Sequence, residues 1–426
     1  MRIAVVGTGY VGLTTALMLA EFGHIVRAID IDQEKVSKIN SGISPIYEPG
    51  VDELLKKHIG INLIATTKME LCDVEVTFIC VGTPSKEDGS IDLTYLKNAC
   101  AKIGENLSSY QIIVVKSTVI PGTTENIVIP IIEEKSGLKV GDDFGVAMCP
   151  EFLREGMALY DTFHPDRIVI GEYDKHSGDI LEELYKPLKA PIIRTDIKTA
   201  EMIKYASNAL LAMKISYANE IANICHKLGI DVYEVMKGVG MDHRISPHFL
   251  NAGIGFGGSC FPKDVKALIN LAKELGYEPW LLEAILKIND RQPIMYVDLI
   301  EEKIGPLKGA KIAILGLSFK PNTDDVRESR AIPLVQELLK RGASVIAYDP
   351  KAMENFRKLF PEIEYAKSAE EALNNADICV IQADWDEFKN IDYDKFNLKL
   401  IVDGRKTIEF TNTPYLRIGM KQSLHS

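Results

Sequence analysis

The chain has 426 residues, 46% hydrophobic and 26% charged, an ordinary globular balance with enough length for a large core and roughly three domains. A formal charge of −11 with no Lys/Arg-rich run argues against nucleic acid and acidic membrane surfaces as partners, yet leaves room for an anionic small substrate in a local pocket. No apolar stretch approaches the roughly 18 residues of a membrane span, and the opening MRIAVVGTGYVG runs from a short apolar start straight into glycines, which reads as a first strand instead of a signal peptide.

In chain order, short β-rich runs alternate with helical patterns over the first part of the chain. Strands are expected at Arg2–Val6, Ile25–Asp30, Val76–Val81, Ile112–Lys116 and Phe144–Met148, with Gly82–Pro84, Pro121–Gly122 and Pro150 punctuating their ends. That alternation implies a parallel sheet with helices on both faces. From Thr199 to Leu228 apolar residues recur at helical spacing, uninterrupted until Gly229. The pattern predicts a helix of about 45 Å, long enough to bridge domains or form a subunit contact. Further helices are expected at Val265–Leu275 and Trp280–Asp290. A second α/β pattern opens near Pro306, with strands at Lys311–Leu315, Ser344–Tyr348, Asp377–Gln382 and Leu400–Val402 and a helix at Ile332–Arg341. It lacks a GxGxxG. Met420–Ser426 reads as a loose tail.

Gly7-Thr8-Gly9-Tyr10-Val11-Gly12 follows the first strand and opens a helix at Leu13–Phe22. Gly7 permits the tight turn, Gly9 lets backbone approach a pyrophosphate, and Gly12 lets helix and strand pack closely, with the helix N-terminus facing the anion. Asp30 ends the second strand about 20 residues on, where a carboxylate accepts from ribose hydroxyls and repels a 2′-phosphate. NAD is therefore favoured over NADP. Lys35 could reach the ribose or offset Asp30. A glycine turn without a ligand is the plainer alternative.

Gly255-Phe256-Gly257-Gly258-Ser259-Cys260-Phe261-Pro262-Lys263-Asp264 is the second informative stretch. Pro262 suits a first helical turn, so Cys260 falls at a helix N-terminus beside Lys263, a setting that favours the thiolate. Asp264, four residues on, shares its face. The other six cysteines (72, 80, 100, 149, 225 and 379) lie in apolar patterns and read as buried small hydrophobes. Seven widely spaced cysteines with no CxxC and no HExxH imply reduced thiols in a cytoplasmic protein and no metal site. A nucleophilic cysteine beside NAD is chemically pointed. Oxidising an aldehyde to an acid needs a way to place a hydride donor on carbon; a thiolate adds to give a thiohemiacetal, hydride leaves to NAD, and a thioester remains for water to hydrolyse.

With these motifs placed, the chain resembles the UDP-glucose/GDP-mannose dehydrogenase family over nearly its whole length. The likeness runs through the GTGYVG start, Val81-Gly82-Thr83-Pro84, Ser117-Thr118-Val119, Pro150-Glu151-Phe152-Leu153-Arg154-Glu155-Gly156, Lys204-Tyr205-Ala206-Ser207-Asn208, the GFGGSCFPKD stretch, Gly316–Ser329 and Asp403-Gly404-Arg405. It implies two Rossmann-like doubly wound α/β domains joined by a helical middle domain with a long central helix. The expected boundaries are 1–195 for NAD, 196–300 for the cysteine and a homodimer surface, and 301–426 for the UDP sugar. It also implies oxidation of the C6 alcohol of a nucleotide sugar to a carboxylate with two NAD and the cysteine.

The resemblance distributes roles. Lys204 and Asn208, i and i+4 on the long helix, would hold an alkoxide or oxyanion, and Asp264 would order a water or the lysine. Glu151 would be the base for thioester hydrolysis, and Glu151–Glu155 (Phe152, Leu153 and Arg154 between) would line the sugar, with Glu155 also a cofactor contact. Thr118 would hold a water or the nicotinamide amide, or else cap a turn; Thr83 is similar. Tyr10, Val11, Lys263 and Arg327 would meet NAD. Lys320, Phe249 and the backbone of Asn251–Gly257, Gly253 included, would meet the nucleotide sugar. Arg244 would reach a neighbouring subunit's substrate, and Arg405 would close the third domain over uridine. Three departures stand out: Cys149 where asparagine usually precedes Pro150, Ser246 where glycine is common, and Ile120-Pro121 in place of Pro-Val. Phe261 and the Asn251–Gly257 loop lean, by resemblance, toward UDP-glucose. The rivals are GDP-mannose or N-acetylated UDP sugars, a single-step β-hydroxyacid-type dehydrogenase, and a binding regulator without turnover.

Overall fold

The computed structural model describes residues 1–420. The tail expected at Met420–Ser426 falls, beyond Met420, outside the described residues. The chain divides into two compact units, Met1–Ser207 and Asn208–Ser426.

The first unit is built on eight strands: β1 (Arg2–Val6), β2 (Ile25–Ile29), β3 (Leu63–Thr66), β4 (Val76–Ile79), β5 (Ile112–Val115), β6 (Gly145–Met148), β7 (Ile168–Glu172) and β8 (Ile192–Thr195). Their order in the sheet is β3-β2-β1-β4-β5-β6-β7-β8. The central strands are buried on both faces, which is why they read as continuous apolar runs. Alternation still sorts them: Ile3 and Val5 face one core, Ala4 and Val6 the other. The first helix runs Tyr10–Glu21, starting earlier than its apolar pattern suggested.

The expected parallel run reverses after β6. Strands β6 and β7 pair antiparallel, with Met148 opposite Gly171, while β7 and β8 are parallel to each other. Antiparallel neighbours are joined at one end of the sheet, so residues 149–167 stay beyond the C-terminal ends of the parallel strands, where open α/β sheets bind ligands. Strands β3, β7 and β8 were not anticipated. Two of them are sheet edges whose Ile64 and Ile193 face solvent, so neither shows the unbroken apolar signature of a central strand.

A helix over Ile197–Leu228 carries the chain from the first unit into the second. The second unit adds helices Val232–Gly240, Phe261–Glu274 and Trp280–Ile304. It ends in six parallel strands: β9 (Lys311–Leu315), β10 (Ser344–Tyr348), β11 (Glu364–Tyr365), β12 (Ile378–Ile381), β13 (Leu400–Asp403) and β14 (Tyr415–Leu416), ordered β11-β10-β9-β12-β13-β14. Trp280–Ile304 outruns its expected end at Asp290 by passing through Pro293. Interior proline costs about 3 kcal/mol. Burial of Tyr296, Val297 and Ile300 beyond it offsets that at roughly 1.5–3 kcal/mol per side chain.

The second sheet repeats the opening turn of the first. Gly316 follows β9 at φ 90° and donates to the Tyr348 carbonyl at 2.9 Å, as Gly7 at φ 95° donates to Ile29 at 2.7 Å. Asp349 then stands where Asp30 stands in the first unit, but it is fully buried. It accepts from the amides of Leu317, Ser318, Lys351 and Ala352, from the Ser318 hydroxyl and from the Trp385 indole. A carboxylate so fully occupied has nothing left for a ribose. The second and third glycines, replaced by Ser318 and Pro321, and the buried acid agree.

Ser246, where a glycine was expected, adopts φ 69°. A side chain there costs about 1–2 kcal/mol, partly returned because serine restricts the unfolded chain more than glycine. Ser246→Gly should therefore stabilise by up to about 1 kcal/mol, read as a rise of about 1–2 °C in the thermal midpoint.

Candidate active site

The glycine turn after β1 is shaped by its own packing at two of three positions. A Cβ on Gly7 would lie 2.7 Å from the Cys80 carbonyl oxygen, and one on Gly12 would lie 1.8 Å from the Gly7 carbonyl oxygen. A Cβ on Gly9 would meet nothing within 4 Å, so this glycine leaves space open at the head of the first helix. That helix has no side-chain cap. Asp30 Oδ2 accepts from the Thr8 amide at 2.9 Å and the Thr8 hydroxyl at 2.6 Å, and its Oδ1 accepts from the Asp32 amide. Burial pushes the Asp30 carboxyl up, but these donors and the charge of Lys35 more than offset it, so it stays ionised. Tyr10 and Val11 sit in the first helical turn, and the Tyr10 hydroxyl reaches the Tyr47 carbonyl. An anion-facing helix start, open backbone at Gly9 and an ionised acid fit a dinucleotide with a free ribose 2′-hydroxyl.

Thr83 and Thr118 are brought together, the Thr83 hydroxyl donating to the Thr118 carbonyl at 2.8 Å. The turn after Thr118 is held by a residue the sequence reading missed. Buried Glu201 accepts from the Gly122 amide at 2.5 Å and the Thr124 amide at 2.9 Å. Burial raises its pKa despite those donors. Its one sequence signal is an acid three residues before Lys204 and seven before Asn208, on the same face of the helix.

Glu151 follows the end of β6, and its Oε1 lies 3.0 Å from Lys204 Nζ, both side chains at under 10% exposure. Glu151 Oε2 also accepts from the Leu153 amide at 2.5 Å. Burial alone would push Glu151 up; the Lys204 charge, the Leu153 amide and the Lys116 charge carry it below the usual carboxylate range. Phe152 lies under two cations, with Arg167 3.9 Å and Lys204 5.3 Å from its ring centre. Arg154 turns to Asp161 in a two-pronged pair at 2.9 and 2.6 Å, and Glu155 is half-buried. The unexplained Cys149 is buried, its carbonyl facing the buried Lys116 ammonium at 3.5 Å.

In the second unit, Cys260 is the residue immediately before the helix Phe261–Glu274 and is partly exposed. Cys80, Cys100, Cys149, Cys225 and Cys379 are buried as expected; Cys72 is exposed, against expectation. The Cys80 thiol is pushed up to about 12 by burial, so it offers no thiolate near neutral pH. The Cys260 carbonyl accepts from the Asp264 amide at 2.8 Å. The buried Asp264 carboxylate takes Asn208 Nδ2 on one oxygen and Lys263 Nζ on the other, both at 2.6 Å. Three expected site residues thus converge one helical turn along from Cys260.

The remaining expected ligand-binding residues of this unit are held in three ways. Gly253 and Gly257 are pressed against backbone, their Cβ positions 2.4 Å from the Gly404 oxygen and 2.2 Å from the Glu328 oxygen. Phe249, at φ 64°, packs edge-on against Phe261; Lys320 lies 5.4 Å over Phe319; Asn251 is exposed. The arginines are braced by a pattern not noticed in the sequence, an aspartate two residues earlier. Asp242 takes both the Arg244 amide and guanidinium, Asp325 does the same for Arg327, and Asp403 takes the Arg405 amide. Arg405 instead turns Nε to the Gln382 carbonyl at 2.8 Å, and burial lowers its pKa against the opposing charge of Asp384. Among the described residues no group of three or more His, Cys, Asp or Glu could hold a metal ion, and no helix is long and apolar enough to cross a membrane.

Residues 1–189 match the NAD binding domain of the UDP-glucose/GDP-mannose dehydrogenase family, 198–291 its central domain and 313–410 its UDP binding domain. The chain belongs to this family, and its cofactor is NAD. It is 48% identical to the UDP-glucose 6-dehydrogenase AglM of Haloferax volcanii, over 96% of this chain and 97% of that one. The structure of a UDP-glucose dehydrogenase from Pyrobaculum islandicum superposes with a TM-score of 0.92 at 40% identity, covering 98% of both chains. A UDP-D-ManNAc dehydrogenase from Pyrococcus horikoshii follows with a TM-score of 0.88 at 33% identity, covering 98% of this chain and 99% of that one.

Two outcomes follow from this geometry. Gly12→Ala should abolish NAD binding, measured by titration of the cofactor, because its methyl and the Gly7 carbonyl cannot share the space. Lys204→Met should destabilise by about 3–5 kcal/mol at neutral pH by stranding Glu151. In the native chain the lowered Glu151 pKa contributes stability that is present above the ordinary value of 4.5 and lost as pH falls below it. In the variant the sign reverses, so acidification should shrink the deficit, read from denaturant midpoints across pH.

Proposed function

We propose that this enzyme oxidises UDP-glucose at C6 to UDP-glucuronate in two successive NAD-dependent steps, with Cys260 as nucleophile. The observation that carries the reading is Cys260 itself: a partly exposed thiol at a helix start, with Asp264, Asn208 and Lys263 gathered one turn away, in a chain whose first part is an NAD binding domain. The UDP binding domain match and the UDP-glucose dehydrogenase relatives support the substrate.

Bound NAD supplies the hydride acceptor in each oxidation. The chain's residues do the rest. The first step turns the C6 alcohol into an aldehyde, its proton leaving through ordered water. The Cys260 thiolate then adds to the aldehyde carbon. Lys204 and Asn208 donate to the oxygen that gathers charge, where one positioned donor is worth roughly 10²–10³ in rate. Loss of the second hydride leaves a thioester. Water attacks it, Glu151 takes one proton, the thiolate departs, and the carboxylic acid so formed loses its remaining proton to solvent. The lowered pKa of Glu151 keeps it ionised and able to accept through the neutral range, though as a weaker base than an ordinary carboxylate. Thr118, Thr83, Glu155 and Arg327 are proposed at the cofactor; Phe152, Leu153, Arg154, Lys320, Phe249, Asn251, Gly253, Gly257, Arg244 and Arg405 at the nucleotide sugar.

The same reading keeps three working parts, 1–195, 196–300 and 301–426, and places the protein in the cytoplasm with its seven cysteines as thiols. It also makes the long helix a homodimer surface. Leu210, Tyr217 and Ile224 recur every seven residues and are each about half exposed, a seam that a second copy would cover. Another nucleotide sugar is the second reading, favoured by the likeness to a UDP-D-ManNAc dehydrogenase.

Counting products tests the scheme. Two NADH should form per UDP-glucose consumed, and Cys260→Ser should yield no acid. One NADH per sugar, or a normal yield from Cys260→Ser, would overturn it. A panel of UDP-glucose, UDP-ManNAc and GDP-mannose should rank UDP-glucose first by kcat/KM.

A further inference from the structure

The loop that leads into Cys260 has glycine at 253, 255, 257 and 258, so its own backbone specifies little. Its shape must come from what holds it. Two of its peptides are held by side-chain amides from two helices. Asn289 Nδ2 donates to the Phe256 carbonyl at 3.0 Å, while its Oδ1 accepts from the Phe256 amide at 2.7 Å. Asn219 Oδ1 accepts from the Gly253 amide at 2.7 Å, and Gln292 Nε2 donates to the Gly253 carbonyl at 3.2 Å. Asn223 steadies Gln292 from the side, at 3.0 Å. Asn219, Asn289 and Gln292 are all essentially buried.

An amide suits this task better than a charge. It sets a donor nitrogen beside an acceptor oxygen, the complement of one residue's backbone carbonyl and amide, without a buried ion. Asn289 can sit so close because Gly255, at φ 106°, has no side chain; a Cβ there would lie 2.7 Å from Asn289 Oδ1. The next fixed point is Gly258, whose amide donates to the Arg327 carbonyl at 2.9 Å, and Cys260 follows at the helix start.

We propose that Asn289, supported by Gln292 and Asn219, is a positioning residue for Cys260: its amide clamps the Phe256 peptide and so sets where the thiol and the substrate-facing loop stand. This rests on the reading of Cys260 as nucleophile. A nucleophile displaced by about 1 Å loses up to a hundredfold in rate.

The test is Asn289→Asp in the full-length enzyme, assayed with UDP-glucose and NAD. The ionised carboxylate can no longer donate to the Phe256 carbonyl, so kcat should fall about tenfold to a hundredfold with the KM for NAD unchanged. A protonated carboxyl again offers one donor and one acceptor, so the defect relative to the native enzyme should shrink as pH is lowered from about 9 to about 6. Ser216→Ala is the control. Ser216 donates to the Ile285 carbonyl and links the same two helices without touching the loop, so its kcat should remain native. Native kcat in Asn289→Asp, or an equal pH-independent loss in both variants, would overturn the proposal. Should Asn289→Asp not fold, Gln292→Met strips the donor from the Gly253 carbonyl instead. A tenfold fall with unchanged KM for NAD supports the clamp, and native kinetics overturns it. Cys260→Ser run alongside separates the failures. Acid formation surviving there sinks the nucleophile, whereas native kinetics in the amide variants sinks the positioning role alone.

Discussion

A charge is tolerated away from water only where an opposite charge or aimed dipoles meet it, and the helix Ile197–Leu228 is involved in meeting that condition three times in its first turns. Glu201 is met by two backbone amides of the turn after Thr118. Lys204 meets Glu151, and Asn208 meets Asp264, which also takes Lys263. Each pairing fixes one loop or helix start that carries proposed chemistry. Remove a partner and the remaining group must either neutralise or drag its segment toward water. The stability of these segments and the readiness of their functional groups are therefore one property.

Glycine serves two ends in this chain. Gly7 and Gly12 are demanded by the protein's own packing, since a methyl at either would strike the backbone. Gly9 is not, and the space it leaves is at the helix start, where an anion is stabilised by unpaired amide dipoles. In the loop before Cys260 the glycines again let backbone approach backbone, at Gly404 and Glu328, and let Asn289 approach Phe256. The cost is a segment without conformational preference of its own, and buried amides supply what the loop lacks.

The two α/β sheets show how one turn geometry can be kept or turned inward. Gly7 and Gly316 make the same bond to the neighbouring strand. Asp30 remains half-buried and ionised at its edge, whereas Asp349 is consumed by six donors of its own chain. The difference agrees with the family matches, NAD binding in the first part and UDP binding in the last.

Much was legible in the sequence because it depended on near neighbours along the chain. The GxGxxG turn, the acid just after β2, the long uninterrupted helix and the proline just inside the cysteine helix are all short-range patterns with a direct backbone cause. Folding decided what depended on distant partners. Edge strands β3 and β8 carry too little apolar signal, and the reversal between β6 and β7 is a matter of pairing. Helix Trp280–Ile304 survives Pro293 because residues beyond it reach the core. That Asp264 takes Asn208 and Lys263, that Glu201 holds a turn nearly 80 residues away, and that Asn289 grips Phe256 could not be read from local pattern. Hydrogen bonds and ion pairs act over about 3 Å of space regardless of separation along the chain, and only the packed fold sets that distance.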